Sequence, residues 1–183
     1  IITGKTFHEH LNNLGEVLSR FRQFGLKLKP TKCNLFKEEV LFLGHVVGKD
    51  GIHVNPSLVQ DVDMWPVPQN LKELQAFLGL TNYYQRFVKD FADIARPLHN
   101  LTRKGATFIW KEEQASALIA LKKALTTAAV LAYPLAEGRM ILDTDASNYS
   151  IGAVLSQEQD GLERVISYSS RRLGPVQERY CVT

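Results

Sequence analysis

The run Met140-Ile141-Leu142-Asp143-Thr144-Asp145-Ala146-Ser147-Asn148-Tyr149-Ser150-Ile151-Gly152-Ala153-Val154-Leu155 restricts the fold more than any other part of the chain. One apolar strand breaks there at a carboxylate, and a second begins. Alternation puts Asp143 and Asp145 on the same side of the first strand, and the residues after Gly152 read as the next strand of an antiparallel pair. A carboxylate at such a break is how a metal-dependent nuclease presents its first ligand. Two-metal hydrolysis needs several carboxylates around cations roughly 3.5–4 Å apart, and after Ser147 the only acids are Glu158, Asp160, Glu163 and Glu178. The expectation is a site begun in this chain and completed beyond Thr183. On spacing alone, an N-cap or turn role for Asp143 and Asp145 is an equal alternative.

At 183 residues the chain is long for one small domain and short for two. It opens on Ile1-Ile2 rather than Met and stops at Tyr180-Cys181-Val182-Thr183 without a turn or cap signal, so a piece of a longer protein is expected. Hydrophobic content of 45% and charge of 22% are those of a globular protein. No run approaches the roughly 20 apolar residues of a membrane span, and nothing resembles a signal peptide, so no membrane partner is expected. Cys33 and Cys181 are far apart and lack a Cys-x-x-Cys pattern, which argues against a disulfide scaffold or zinc ribbon and for a reducing compartment. A net charge of +3 is compatible with a phosphate-rich partner without requiring one. No His-Glu-x-x-His, nucleophile elbow, phosphate-binding loop or internal repeat is present.

Helical spacing of Leu11, Leu14, Val17, Leu18 and Phe21 predicts an amphipathic helix from Phe7 to Phe24, stopped at Gly25. Extended pieces are expected over Leu26–Leu28, Lys32–Phe36 and Val40–Val47, as a small β-meander with turns at Pro30 and Lys49-Asp50-Gly51. A short helix should run from Asn55-Pro56 to about Met64, and Trp65-Pro66-Val67-Pro68 reads as a stiff connector. Asn70 can cap a helix from Leu71 to Val88 whose apolar face holds Leu71, Leu74, Phe77, Leu78, Thr81 and Tyr84. Further helices are expected over Phe91–Leu101 and Glu112–Thr127, the latter with Ala115, Leu118, Ile119, Lys122 and Leu125 at helical intervals. Phe108-Ile109-Trp110 reads as a brief extended run. Strands follow at Met140–Thr144, Ile151–Gln157 and Arg164–Ser169, with Asp160-Gly161 as the last turn. A final helix begins after Pro175.

In the Leu71–Val88 helix, Gln75, Gly79, Asn82 and Arg86 fall at i, i+4, i+7 and i+11, a narrow stripe of polar and small residues. A mid-helix Gly costs roughly 1 kcal/mol against Ala, so something packs closely at Gly79. That neighbour is either another helix or the wide minor groove of an A-like duplex, where Gln75 and Asn82 could reach sugars and base edges and Arg86 a phosphate. Gly44, inside Leu41–Val47, marks a bulge or a close backbone approach, with His45 beside it. Lys27, Lys29, Lys32 and Lys37 precede it as a basic run that is equally well solvated surface.

Three blocks in order resemble the polymerase of Gypsy-like long-terminal-repeat retrotransposons, relatives of retroviral reverse transcriptases. The first is Lys32-Cys33 with Phe42-Leu43-Gly44-His45-Val46-Val47 and Gly51-Ile52. The second runs from Leu74-Gln75-Ala76-Phe77-Leu78-Gly79 through Thr81-Asn82-Tyr83-Tyr84-Gln85-Arg86-Phe87 to Ile94-Ala95-Arg96-Pro97-Leu98, Leu101 and Phe108-Ile109-Trp110. The third is Leu142-Asp143-Thr144-Asp145-Ala146-Ser147, Gly152 to Gln157, Tyr168-Ser169-Ser170-Arg171 and Glu178-Arg179-Tyr180.

The resemblance implies an α+β chain. Residues 1–55 would be the end of a reverse-transcriptase palm with its primer-grip β-hairpin, 56–107 the helical thumb, 108–136 a connection segment, and 137–183 the start of an RNase H-like sheet. It implies nucleic-acid contacts at Gly44, His45, Gln75, Gly79, Asn82, Tyr83 and Arg86, and makes Asp145, with Asp143 its same-face neighbour, the first catalytic and metal-binding aspartate of the ribonuclease. Implied partners are RNA–DNA hybrid, duplex DNA and the remainder of a Pol polyprotein; the implied cofactor is Mg²⁺. Implied locations are cytoplasmic virus-like particles or the nucleus. In this family the polymerase aspartates precede a segment like Ile1-Ile2-Thr3, and the other ribonuclease carboxylates follow Thr183, so this piece would grip duplex and catalyse neither step. The competing reading is a domesticated or decayed element kept as a non-catalytic nucleic-acid-binding module.

Overall fold

The computed structural model describes residues 1–174 and 176–179, and the chain divides into two compact units at Lys37/Glu38. The first unit is built on α1 (Phe7–Gln23). Thr6 caps it by accepting from the Glu9 N–H, while Glu9 accepts from the Lys5 N–H in return. Past its end, Gly25 and a Leu26 N–H donated to the Phe21 carbonyl close the last turn. The apolar stripe is present as expected, yet none of its residues is buried, and Phe7 and Phe24 stand exposed. Leu26–Leu28 and Lys32–Phe36 are not strands. Pro30 opens a single 3-10 turn over Pro30–Lys32 instead, and the flanking residues find no ladder partner to hold them extended.

The second unit opens with an antiparallel meander of β1 (Val40–Phe42), β2 (His45–Gly48) and β3 (Gly51–Val54). The extended piece over Val40–Val47 is the expected hairpin, made of two strands. Phe42 pairs with His45, and Leu43-Gly44 form a two-residue turn with φ of +48° and +75°, both left-handed. Gly44 is therefore at the turn and not within a strand.

Helix α2 (Pro56–Asp63) starts at the Asn55 cap. Helix α3 (Leu71–Tyr83) starts at Asn70, whose Oδ1 accepts from the Glu73 N–H while Glu73 accepts from the Gln69 N–H and the Asn70 side-chain amide. It stops five residues short of the expected Val88. Tyr84 leaves helical geometry, and Gln85–Phe87 make a separate 3-10 turn. Helix α4 (Phe91–Leu101) runs through Pro97, and α5 (Glu112–Thr126) follows. Phe108-Ile109-Trp110 forms no strand. The core gathers Leu74, Phe77 and Leu78 of α3, Ala95 and Leu98 of α4, and Leu118, Leu121 and Leu125 of α5. Each fully buried Leu or Phe contributes roughly 1.5–3 kcal/mol. The buried face of α5 is rotated from the expected one, with Ala117 and Leu121 inward and Ile119 exposed.

A second antiparallel sheet closes the unit: β4 (Met140–Ala146), β5 (Ser150–Gln159) and β6 (Leu162–Arg172), in that order. Asp160-Gly161, again both at positive φ, make its second turn where the sequence places it. Leu131 exchanges two backbone hydrogen bonds with Ile52, pinning the segment after α5 to the meander. Of the helix expected after Pro175, Gln177–Arg179 form one 3-10 turn. Pro175 and residues 180–183, Cys181 among them, lie outside the described residues; Cys33 is a free thiol.

Candidate functional site

The two carbonyls of the Leu43-Gly44 turn lie outside the strand ladder and need donors. Both come from the end of α3. The Tyr83 hydroxyl donates to the Leu43 carbonyl at 2.5 Å, and the Tyr84 hydroxyl donates to the Gly44 carbonyl at 2.7 Å. His45 then lies flat on Tyr83, with ring centroids 5.2 Å apart and planes 5° apart, and meets Tyr84 edge-on at 5.3 Å. Phe87 approaches the same imidazole at 5.5 Å. Three residues singled out from separate parts of the sequence, Gly44, His45 and Tyr83, thus converge on one cluster.

Burial first, and the charge of Arg86 second, hold the His45 imidazole below its ordinary range. His45 Nδ1 and Arg86 Nε are both buried without a hydrogen-bond partner. Tyr84 is 2% exposed, and burial raises its phenol above the ordinary range. Tyr83 is 52% exposed.

Along α3, Gln75 and Gly79 are exposed and Asn82 is half-buried. A Cβ built at Gly79 meets nothing within 4 Å, so no neighbouring helix explains this glycine among the described residues. Arg86 leaves the stripe because the helix ends at Tyr83; it is held in the following 3-10 turn instead. Tyr84 is the residue that sequence reasoning missed in this role. Its helical spacing marks it as core, which it is, and only the Tyr-Tyr doublet hints at the hydroxyl's use.

On the second sheet, Asp143 pairs with Val154 and Asp145 with Gly152, which continues across to Ser170. Cross-strand partners share a face, and on this face Ser170 Oγ accepts from the Ala92 N–H at 2.9 Å, so the start of α4 lies over it. Asp93 adds a second tie, accepting from the Ser150 hydroxyl at 2.6 Å. Asp145 is exposed and lines a shallow groove with Gly152, Ser169 and Arg171; its Oδ1 accepts from the Ala146 N–H at 2.8 Å.

Residues 110–183 match the model of the RNase H-like domain found in reverse transcriptase. The retrovirus-related Pol polyprotein from transposon 297 of Drosophila melanogaster is 39% identical over 181 residues, 98% of this chain and 17% of that protein. Its counterpart from transposon opus is 36% identical over 98% of this chain and 19% of its own length. The transposon Tf2-3 polyprotein of Schizosaccharomyces pombe is 30% identical over the whole of this chain and 14% of its own length. The chain belongs to the retrotransposon Pol family. It spans less than a fifth of the length of these Pol relatives.

Among solved structures, the chain is similar to the foamy viral protease-reverse transcriptase in complex with dsDNA, with a TM-score of 0.82 and 26% identity over 98% of this chain and 38% of that one. It is equally similar to the same viral enzyme in complex with RNA/DNA hybrid, with a TM-score of 0.83, 26% identity and coverage of 98% and 24%. RNase H-like reverse-transcriptase domains of the Pol type generally use a divalent metal. The described residues contain no group of three or more His, Cys, Asp or Glu able to hold one. Asp145, with Asp143 on the same face, can offer a ligand but not enclose an ion, and these residues do not fit a complete metal site. No helix among the described residues is long and apolar enough to cross a membrane.

Proposed function

We propose that this chain serves a Pol polyprotein as a duplex grip and as the first strands of its ribonuclease. The carrying observation is the joining of the Leu43-Gly44 turn to the end of α3, beside an exposed helix face that Gly79 leaves clear. An open, polar helix face next to a fixed aromatic and a half-buried arginine suits the sugars and phosphates of a duplex minor groove. On this reading residues 1–55 are palm and primer grip, 56–107 thumb, 108–136 connection, and the rest RNase H-like. Gly44, His45, Gln75, Gly79, Asn82, Tyr83 and Arg86 border RNA–DNA hybrid or duplex DNA. The whole polyprotein copies RNA into DNA and cleaves the RNA of the hybrid, with Mg²⁺ as its metal, in a cytoplasmic particle or the nucleus.

Asp145 contributes a carboxylate to the cleavage site of the whole polyprotein. In a Pol polyprotein containing this chain, Asp145→Asn should abolish cleavage of the RNA strand and leave hybrid affinity unchanged. Gln75→Ala should do the reverse, weakening affinity about tenfold, the equivalent of one lost contact worth about 1.4 kcal/mol. Equal loss of affinity in both variants would overturn the separation of grip from carboxylate.

A further inference from the structure

We infer that Tyr83 and Tyr84 are positioning residues, a paired phenol clamp that holds the Leu43-Gly44 turn at the end of α3 so that hairpin and helix meet a duplex as one surface. The inference rests on the grip proposed above and adds what sets its geometry.

Forty residues separate each phenol from its carbonyl, so neither bond is a by-product of local backbone geometry. The two bonds are made by consecutive residues to consecutive carbonyls, 2.5 Å for Tyr83 with Leu43 and 2.7 Å for Tyr84 with Gly44. Two adjacent attachment points fix the turn's orientation as well as its distance. A turn with both central residues left-handed presents these carbonyls away from the strand ladder, so without the phenols they would face only water. Tyr84 is fully packed and its hydroxyl has one place to go; Tyr83 is half-exposed and carries His45 on its ring. The helix also ends where the clamp begins. Tyr84 takes φ −100° and ψ 11°, outside the helical region, as the residue that reaches Gly44.

Gly44 is part of the device. A Cβ there would lie 2.8 Å from the Tyr84 hydroxyl oxygen, closer than real contacts, so a side chain at this position would displace the phenol. Without the clamp the meander keeps its own ladder and α3 keeps its core contacts. What is lost is the fixed orientation of the turn on the end of α3, while the meander stays pinned through Ile52 and Leu131.

Hydrogen exchange of the chain, free and with an RNA–DNA hybrid, tests this at peptide resolution. In the wild type the hybrid should slow exchange both in the turn, Leu43 to His45, and along α3. In a Tyr83→Phe/Tyr84→Phe double variant, which keeps both rings, it should still slow exchange along α3 and no longer in the turn, with affinity down about tenfold. A purely structural role would change exchange in the free protein and leave the hybrid-induced protection intact. The single variants, checked by thermal midpoint, replace the double variant if it fails to fold. Gly44→Ala, which retains both hydroxyls, should also lose turn protection. Full turn protection in the folded Tyr→Phe variants would overturn the clamp and leave the grip standing. Absence of hybrid-induced protection along α3 in the wild type would overturn the grip, and the clamp with it.

Discussion

At Gly79 stability and binding pull in opposite directions, which makes one substitution a sensitive probe. A leucine there enters open space and replaces the poorest helix former short of proline, so Gly79→Leu should raise unfolding stability by up to about 1 kcal/mol in a urea titration. The same side chain should obstruct a duplex lying on the helix and weaken hybrid binding; a variant that binds normally would remove Gly79 from the interface. His45 and His99 set a second test. Burial, then the neighbouring Arg86 or Arg172, holds each imidazole below its ordinary value. Below about pH 6.5 the unfolded chain takes up these protons first, so their contribution is complete above that pH and lost as pH falls toward the folded values. Stability should therefore fall from about pH 7 to 5.5, and fall less steeply in His99→Gln. Gly44, His45 and Tyr83 were legible in the sequence as single residues, but their convergence was not, because no spacing rule links a turn to a tyrosine forty residues away.

Among the elements, the apolar period marked α1, α3 and α5, and the Asn55-Pro56 start marked α2, so that all five α-helices of the described residues were expected from the sequence. The period misplaced the end of α3 for a physical reason. Phe87 and Val88 are as deeply buried as the helix face before them, so the pattern runs on through a break made by Tyr84. It also overstated strands before Val40, where extended residues lack a ladder. The β4–β5–β6 sheet was readable because its alternation and the Asp160-Gly161 turn agree. A tie invisible to any periodicity is Lys122 of α5, which donates to the carbonyls of Asp63 at 2.9 Å and Trp65 at 2.5 Å, holding the end of α2 and the proline-rich connector. Lys122→Met keeps the apolar stem and removes both bonds, and should cost about 1.5–3 kcal/mol by urea titration. A loss below about 0.5 kcal/mol would mean that water replaces the ammonium without penalty.

At the scale of the molecule, each unit shows surfaces that its own residues do not cover. The α1 stripe is uncovered, and β4 is an edge strand among the described residues with Leu142 exposed. Family membership rests on matches over nearly the whole of this chain, which spans less than a fifth of its Pol relatives. The sequence blocks carried that membership, while the metal site stays out of reach because Asp145 has no cluster of ligands around it among the described residues. What the chain can be asked directly is whether it grips a duplex. The decisive measurement is the affinity of the chain for a labelled RNA–DNA hybrid across a salt series. Binding should weaken linearly in log Kd against log salt, the mark of phosphate contacts. A folded chain that fails to bind at low salt, or binds with no salt dependence, would contradict the duplex grip.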